Sequence, residues 1–394
     1  MHSENELWRT SQVRSAKKVT LIAFILNGFV LGSLIARIPD FKNNLQLSNS
    51  QVGTSLLFVA IGVFLALKPA GFFAAKFGSK SIILLGMVLI ILACTLVGGA
   101  QNEVMLRVGL FCIGFATATH DIGMNAHAVT IEKITSSRMM GLFHANFSIG
   151  TFLGGIIGGL CSQTNLSIFH QELMISTITL ILFVLIANKY LPNQADIHPI
   201  SSEKQNKSSP RIFWILGIFG MCAAMGEGAA GDWGGVLARD TFDASPFIST
   251  LPYIAYSLTM VVGRLSCDYL ANKFGSEKVI RGGGLISGVG LLTGLIIGQV
   301  HGVIFGWFCV GLGLSIVMPL IFSAAGSMAH EKYQGQIAPS VAVARVSGTA
   351  YFGFMIGPPV IGYLAEQFTL RWALLLVVFL STMMVIGGKY AKTK

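Results

Sequence analysis

"AAKFGSKSII", residues 74–83, returns as "ANKFGSEKVI" at residues 271–280, 197 positions later in a chain of 394. Both copies keep Lys-Phe-Gly-Ser, and each falls between two long apolar blocks. An offset of half the chain marks a duplication, and the flanking blocks show what was duplicated. Val19–Ala36, Leu56–Leu67, Ile82–Ala100, Phe169–Ala187 and Ala373–Gly388 are nearly or wholly free of charge. A helix needs roughly 20 apolar residues to cross a bilayer. Over the whole chain 53% of residues are hydrophobic, 11% are charged and the mean hydropathy is +0.70. A soluble domain carries about 25% charged residues. Outer-membrane barrels show short alternating segments instead.

The pattern predicts an all-α integral membrane protein with twelve transmembrane helices in two six-helix pseudo-symmetric halves. The spans fall at 19–38, 51–74, 81–100, 104–130, 141–161, 168–187, 211–237, 247–270, 279–299, 302–328, 340–365 and 372–389. Residues 1–18 and 390–394 are expected as cytoplasmic tails, 19–187 and 211–389 as the two bundles. Between them 188–210, rich in Ser, Asn, Pro and Lys, reads as a cytoplasmic linker. No small-residue cleavage site follows the first span, so it is expected to stay as a helix rather than act as a signal peptide.

The net charge of +10 is a topology signal and not a nucleic-acid footprint. With both ends inside, 20 of the 27 Lys and Arg residues lie on the cytoplasmic side and 4 in outer loops. That bias sets orientation and puts both termini in the cytoplasm. The six cysteines sit singly within spans, so no metal or redox motif is present. No GxxxxGK[ST] phosphate loop occurs, and no cofactor is expected. Parallel six-plus-six repeats with a site between them describe a secondary transporter.

A carboxylate inside a span costs about 2.5–3.5 kcal/mol on insertion scales and marks function by default. "ATATHDIGMNAHAVT", 116–130, holds several polar groups. At 100° per residue, His120, Met124 and His127 share one stripe, and Asp121 and Asn125 a second beside it. All five fall on one half of the fourth helix, where they can face a cavity or tie the helix to a neighbour. "MGEGAAGDWGG" brings Glu227 and Asp232 into a glycine-rich seventh span able to bend. Its Trp233 suits either a sugar-stacking platform or an interfacial belt. Arg345 sits one to two turns from the cytoplasmic end of the eleventh span. A glycine pattern aligns it opposite Asn146, with His144 at similar depth. Asn27 is the strongly polar side chain of the first span, and Tyr253 and Tyr256 of the eighth complete the candidate substrate-binding set. Gly150, Gly154 and Gly158 read as close helix packing.

The two KFG copies resemble the loop between the second and third helices of the major facilitator superfamily. "GRLSCDYLANKFG" keeps Arg264 and Asp268, four residues apart on one helix face. The first copy has Gly71 where Asp268 would align. Lys76, Gly78, Lys273, Gly275, Arg264 and Asp268 are thereby implied as a cytoplasmic gate. "MNAHAVTIEK", "GLFHANFSIGTFLGG", "EGAAGDWGGVLARD" and "GPPVIGYLAE" are similar to a bacterial inner-membrane branch near the fucose:proton symporter and rhizopine transporters.

That resemblance implies that the first, fourth, seventh, tenth and eleventh helices of a monomer turn Asn27, Asp121, Asn125, Glu227 and Arg345 towards a shared cavity. It matches Asp121 and Asn125 to an acid–Asn pair in which the acid handles protons, whereas the symporter's first-helix acid has no counterpart. The expectation is a secondary active transporter, not an enzyme, moving a small polar solute (sugar, polyol, amino-sugar or nucleoside-like) by alternating access. Protons would be coupled through Asp121 and Glu227. A proton-coupled exporter of amphipathic compounds and a non-transporting membrane sensor are the alternatives.

Overall fold

A computed structural model describes residues 2–137, 139–195, 210–333, 337 and 339–391. Among them the chain is almost wholly helical, with no strand. The first half holds α1 (His2–Ile35), α2 (Ile38–Asn44), α3 (Asn49–Phe77), α4 (Ser79–Gly98), α5 (Glu103–Thr135), α6 (Met140–Gln163) and α7 (Ile168–Ile186). The second holds α8 (Arg211–Phe242), α9 (Leu251–Phe274), α10 (Ser276–Ile297), α11 (Val300–Leu314), α12 (Val317–Glu331), α13 (Pro339–Ala373) and α14 (Leu375–Gly387).

Eight of the described helical stretches are long and apolar enough to span a membrane, nine if α13 and α14, bent by 70°, count as one. α5 and α9 are long enough as well, with 33 and 24 residues. Polar and charged residues dilute their apolar signal, and both carry candidate site residues, Asp121 and Asn125 on α5 and Arg264 on α9. The tenth expected span is two helices, α11 and α12, interrupted at Ser315–Ile316. Pro319 has no N–H to offer the Ser315 carbonyl four residues back, which ends regular helix there.

Helix ends follow local chemistry. Asn102 caps α5 by accepting from Met105 N, and Ser167 caps α7 by accepting from His170 N, satisfying otherwise orphaned donors. Glu132, at the end of α5, accepts from the backbone N–H groups of Met139 and Met140 and so caps α6. The KFG copies make the same turn: Gly78 has φ +85° and Gly275 φ +83°, values that only glycine adopts readily.

By their contacts the residues form two compact units, one of 1–40 and 58–202, the other of 41–57 and 203–394. Within the first unit α1 packs on α6, and α4 on both α5 and α7. Within the second α8 packs on α13, and α10 on both α11 and α14. The same three pairings of helices thus recur. Glycines permit the tightest of them. A Cβ on Gly154 would sit 2.7 Å from Ser33 N, and one on Gly353 2.9 Å from the Ala224 Cβ. This is the close helix packing expected of small residues at intervals of four.

Candidate functional site

In the first unit the two stripes of α5 separate. Asp121 and Asn125 are half-buried, and Asn125 Nδ2 donates to the Asp121 carboxylate at 3.0 Å and to its backbone carbonyl at 2.9 Å. Among the described residues no cation pairs with this aspartate. His120 is fully buried, with neither ring nitrogen hydrogen-bonded, and its backbone abuts Gly86 of α4. His127 is also buried. Its Nδ1 meets Ser79 Oγ at 2.7 Å, and its Nε2 accepts from Leu191 N at 3.2 Å. Both ring nitrogens are therefore taken by groups of the same unit. The histidine stripe faces α4, while the Asp–Asn stripe stays partly open.

Asn27 is buried on α1 and donates to Thr117 O at 3.1 Å and towards Met124 Sδ at 4.0 Å. Its Oδ1 has no partner, so an acceptor remains beside α5. On α6, Asn146 spends its amide on Leu142 O of its own helix at 2.8 Å. His144 is exposed and packs edge-on against Phe24, with ring centroids 5.5 Å apart.

In the second unit the groups gather around Glu227. Its Oε2 lies 3.7 Å from Arg264 Nη2, while Oε1 has no partner. Tyr253 and Tyr256, both buried, stack with centroids 6.3 Å apart, and Tyr256 lies within electrostatic reach of Glu227 and Arg264. Arg264 thus approaches a carboxylate of α8 from α9. The side chain of Asp268 lies outside the described residues. Asp232 is half-buried one turn beyond Gly228. Trp233 is neither a belt residue nor an open platform, because it is fully buried in the packing of α8. Arg345 on α13 is half-buried, and its carbonyl accepts from Thr349 Oγ1.

The two KFG lysines form matching clips with neighbouring rings. Lys76 Nζ sits 6.0 and 5.3 Å from the ring centroids of Phe72 and Phe77. Lys273 Nζ sits 5.4 and 5.3 Å from those of Tyr269 and Phe274. The 197-residue offset relates the two clips residue by residue.

One polar cluster escapes a reading of the sequence. At the end of α1, Arg37 pairs with Asp40 at 2.6 Å and donates to Gln171 Oε1 at 3.1 Å and Leu166 O at 2.7 Å. Gln171 donates in turn to Glu172, which is fully buried. The signal in the sequence is the Gln171-Glu172 pair about one turn inside the sixth span. Among the described residues no group of three His, Cys, Asp or Glu could hold a metal ion.

Comparison with known proteins places this geometry in context. An uncharacterised MFS-type transporter of Yersinia pestis is 29% identical over 360 residues, covering 90% of each chain. The membrane protein MosC of Rhizobium meliloti is 28% identical over 372 residues, 92% of this chain and 88% of that one. Multidrug resistance protein 2 of Bacillus subtilis is 23% identical over 309 residues, 75% of each. Among solved structures, the nucleoside transporter NupG superposes with TM-score 0.71 at 14% identity, over 97% of this chain and 100% of that one. The E. coli fucose:proton symporter FucP superposes with TM-score 0.63 at 19% identity, over 96% and 98%. At such identities these structures speak for the fold. The model of the Major Facilitator Superfamily matches residues 20–342, and the chain belongs to that family of multi-pass membrane transporters.

Proposed function

We propose that this transporter moves a small polar solute across the bacterial inner membrane and couples that movement to protons through Asp121. The observation that carries the reading is the Asp121–Asn125 pair: a half-buried carboxylate inside a span, held by an amide and by no described cation. Intramembrane acids without a counter-ion mark proton relays and substrate pathways. Glu227 is a second candidate, although Arg264 at 3.7 Å already offers it a positive partner. Asn27 and the stacked Tyr253–Tyr256 pair supply amide, hydroxyl and ring surfaces of the kind that orient a hydroxylated solute. Both termini are assigned to the cytoplasm on the loop charge bias.

Export of amphipathic compounds is the second reading, favoured by the similarity to a protein named for multidrug resistance. Such a ligand needs an apolar pocket with few polar groups, which fits these polar faces less well. The test is uptake into proteoliposomes with and without an imposed pH gradient. The panel holds sugars, polyols, amino-sugars, nucleosides and a lipophilic cationic dye. Gradient-driven accumulation of one polar solute supports the proposal. Movement of the dye alone transfers the chain to the second reading.

A further inference from the structure

The first KFG copy lacks the acid that its counterpart carries, with Gly71 at the matching position and nothing within 4 Å of where its Cβ would be. Something else holds that loop. After α7 the chain turns through two short helical turns, Ala187–Lys189 and Asn193–Ala195, and folds back onto the start of α4. Tyr190 and Leu191 are 2% and 3% exposed, unlike the solvated linker that this composition suggests. Leu191 N–H donates to His127 Nε2. That nitrogen therefore carries no proton, so the neutral ring bears its hydrogen on Nδ1 and donates it to Ser79 Oγ. The Tyr190 ring stands edge-on to the same imidazole at 5.3 Å. Asn193 completes the contact: Ser81 N–H donates to its Oδ1 at 3.2 Å, and its Nδ2 donates to Ser81 Oγ at 2.7 Å.

Among the described residues the second half repeats the fold-back without the lock. The chain after α14 lays Gly388 against the first turn of α10, where an added Cβ would meet Glu277 O at 2.8 Å. The loop glycines differ, however. A Cβ on Gly78 would lie 2.7 Å from that of Asn193, whereas no described residue stands within 4 Å of a Cβ on Gly275. At the 197-residue offset from His127 the second half has a buried alanine, Ala324.

We propose that Tyr190–Asn193 is a clasp fastening the start of the inter-half linker to the first KFG loop, with His127 as its receptor, in place of the acid that loop lacks. His127 is then a positioning residue, and a displacement of the linker is felt at Lys76 and Gly78. The proposal needs no identified solute.

Hydrogen exchange reads both amides in the full-length protein in lipid nanodiscs. His127→Ala should speed exchange at the Leu191 amide about five-fold, the loss expected for one net hydrogen bond. Asn193→Ala, at a half-exposed position that folding should tolerate, should speed the 76–81 amides by a similar factor and leave those of 273–278 unchanged. The second variant decides the matter if the first fails to fold. Unaltered exchange at 76–81 in Asn193→Ala would overturn the clasp and leave the linker merely packed on its bundle.

Discussion

Replacing Gly32 by alanine drives one methyl group into the close seam between α1 and α6. The new Cβ would lie 2.8 Å from both the Cα and the carbonyl carbon of Thr151, and closer still to its oxygen. These are backbone atoms of α6 and cannot rotate away, so α1 and α6 must part by several tenths of an ångström. Parting them loosens the neighbouring contacts of Gly28, Gly150 and Gly154 along the same seam. Overpacking of this kind costs about 1–3 kcal/mol. At about 2–4 °C per kcal/mol for a unit of this size, the unfolding midpoint should fall by roughly 2–12 °C. A thiol-reactive dye provides the assay in detergent, because Cys94, Cys222, Cys267 and Cys309 are buried until the bundle opens. Gly71→Ala is the control: nothing lies within 4 Å of its Cβ position in α3. Alanine is the better helix former there by up to about 1 kcal/mol, so the midpoint should hold or rise. The reasoning fails if Gly32→Ala is neutral or if both variants shift the midpoint the same way.

Glu132→Ala should lower stability by about 2 kcal/mol, the worth of a charged acceptor capping backbone donors, read as a drop in the same midpoint. Glu366→Gln should act with a defined pH sign. The Ser50 N–H beside Glu366 holds its carboxyl below the usual range near 4.5, so its contribution is complete above that value and disappears as pH falls through the lowered one. Variant and parent midpoints should then differ at pH 7 and converge as pH falls below the lowered carboxyl value. Lys42→Ala removes an ion pair with the partly exposed Asp240 and should cost less than about 1 kcal/mol in a denaturant titration.

The helices were legible because apolar block length reports directly on burial in lipid, and the repeat was legible because both KFG turns need glycine at positive φ. The interruption at Ser315 left a trace as well, in Pro319, which block hydropathy does not register. What each polar side chain faces was less legible. The 100° spacing separates the stripe of His120 and His127 from that of Asp121 and Asn125. It cannot tell that Gly86 and Ser79 on α4 receive the histidines. That depends on a helix earlier in the chain, 34 residues back for Gly86 and 48 for Ser79. Trp233 was ambiguous for the same reason, since a tryptophan at a belt, at a ligand face or in a core reads alike until its neighbours are placed. Arg37 and Glu172 escaped because each reads as the end of its own span, and their meaning lies in their approach to one another through Gln171.

The central claim is that Asp121 carries the coupled proton. The most direct measurement compares Asp121→Asn with the parent protein in proteoliposomes, using the solute found by the panel. Both accumulation under an inward pH gradient and gradient-free counterflow would be followed. The account predicts that the variant loses accumulation and keeps counterflow, because the amide can still bond Asn125 but cannot ionise. Full gradient-driven accumulation by Asp121→Asn would contradict it and leave the Asp121–Asn125 pair a structural hydrogen bond.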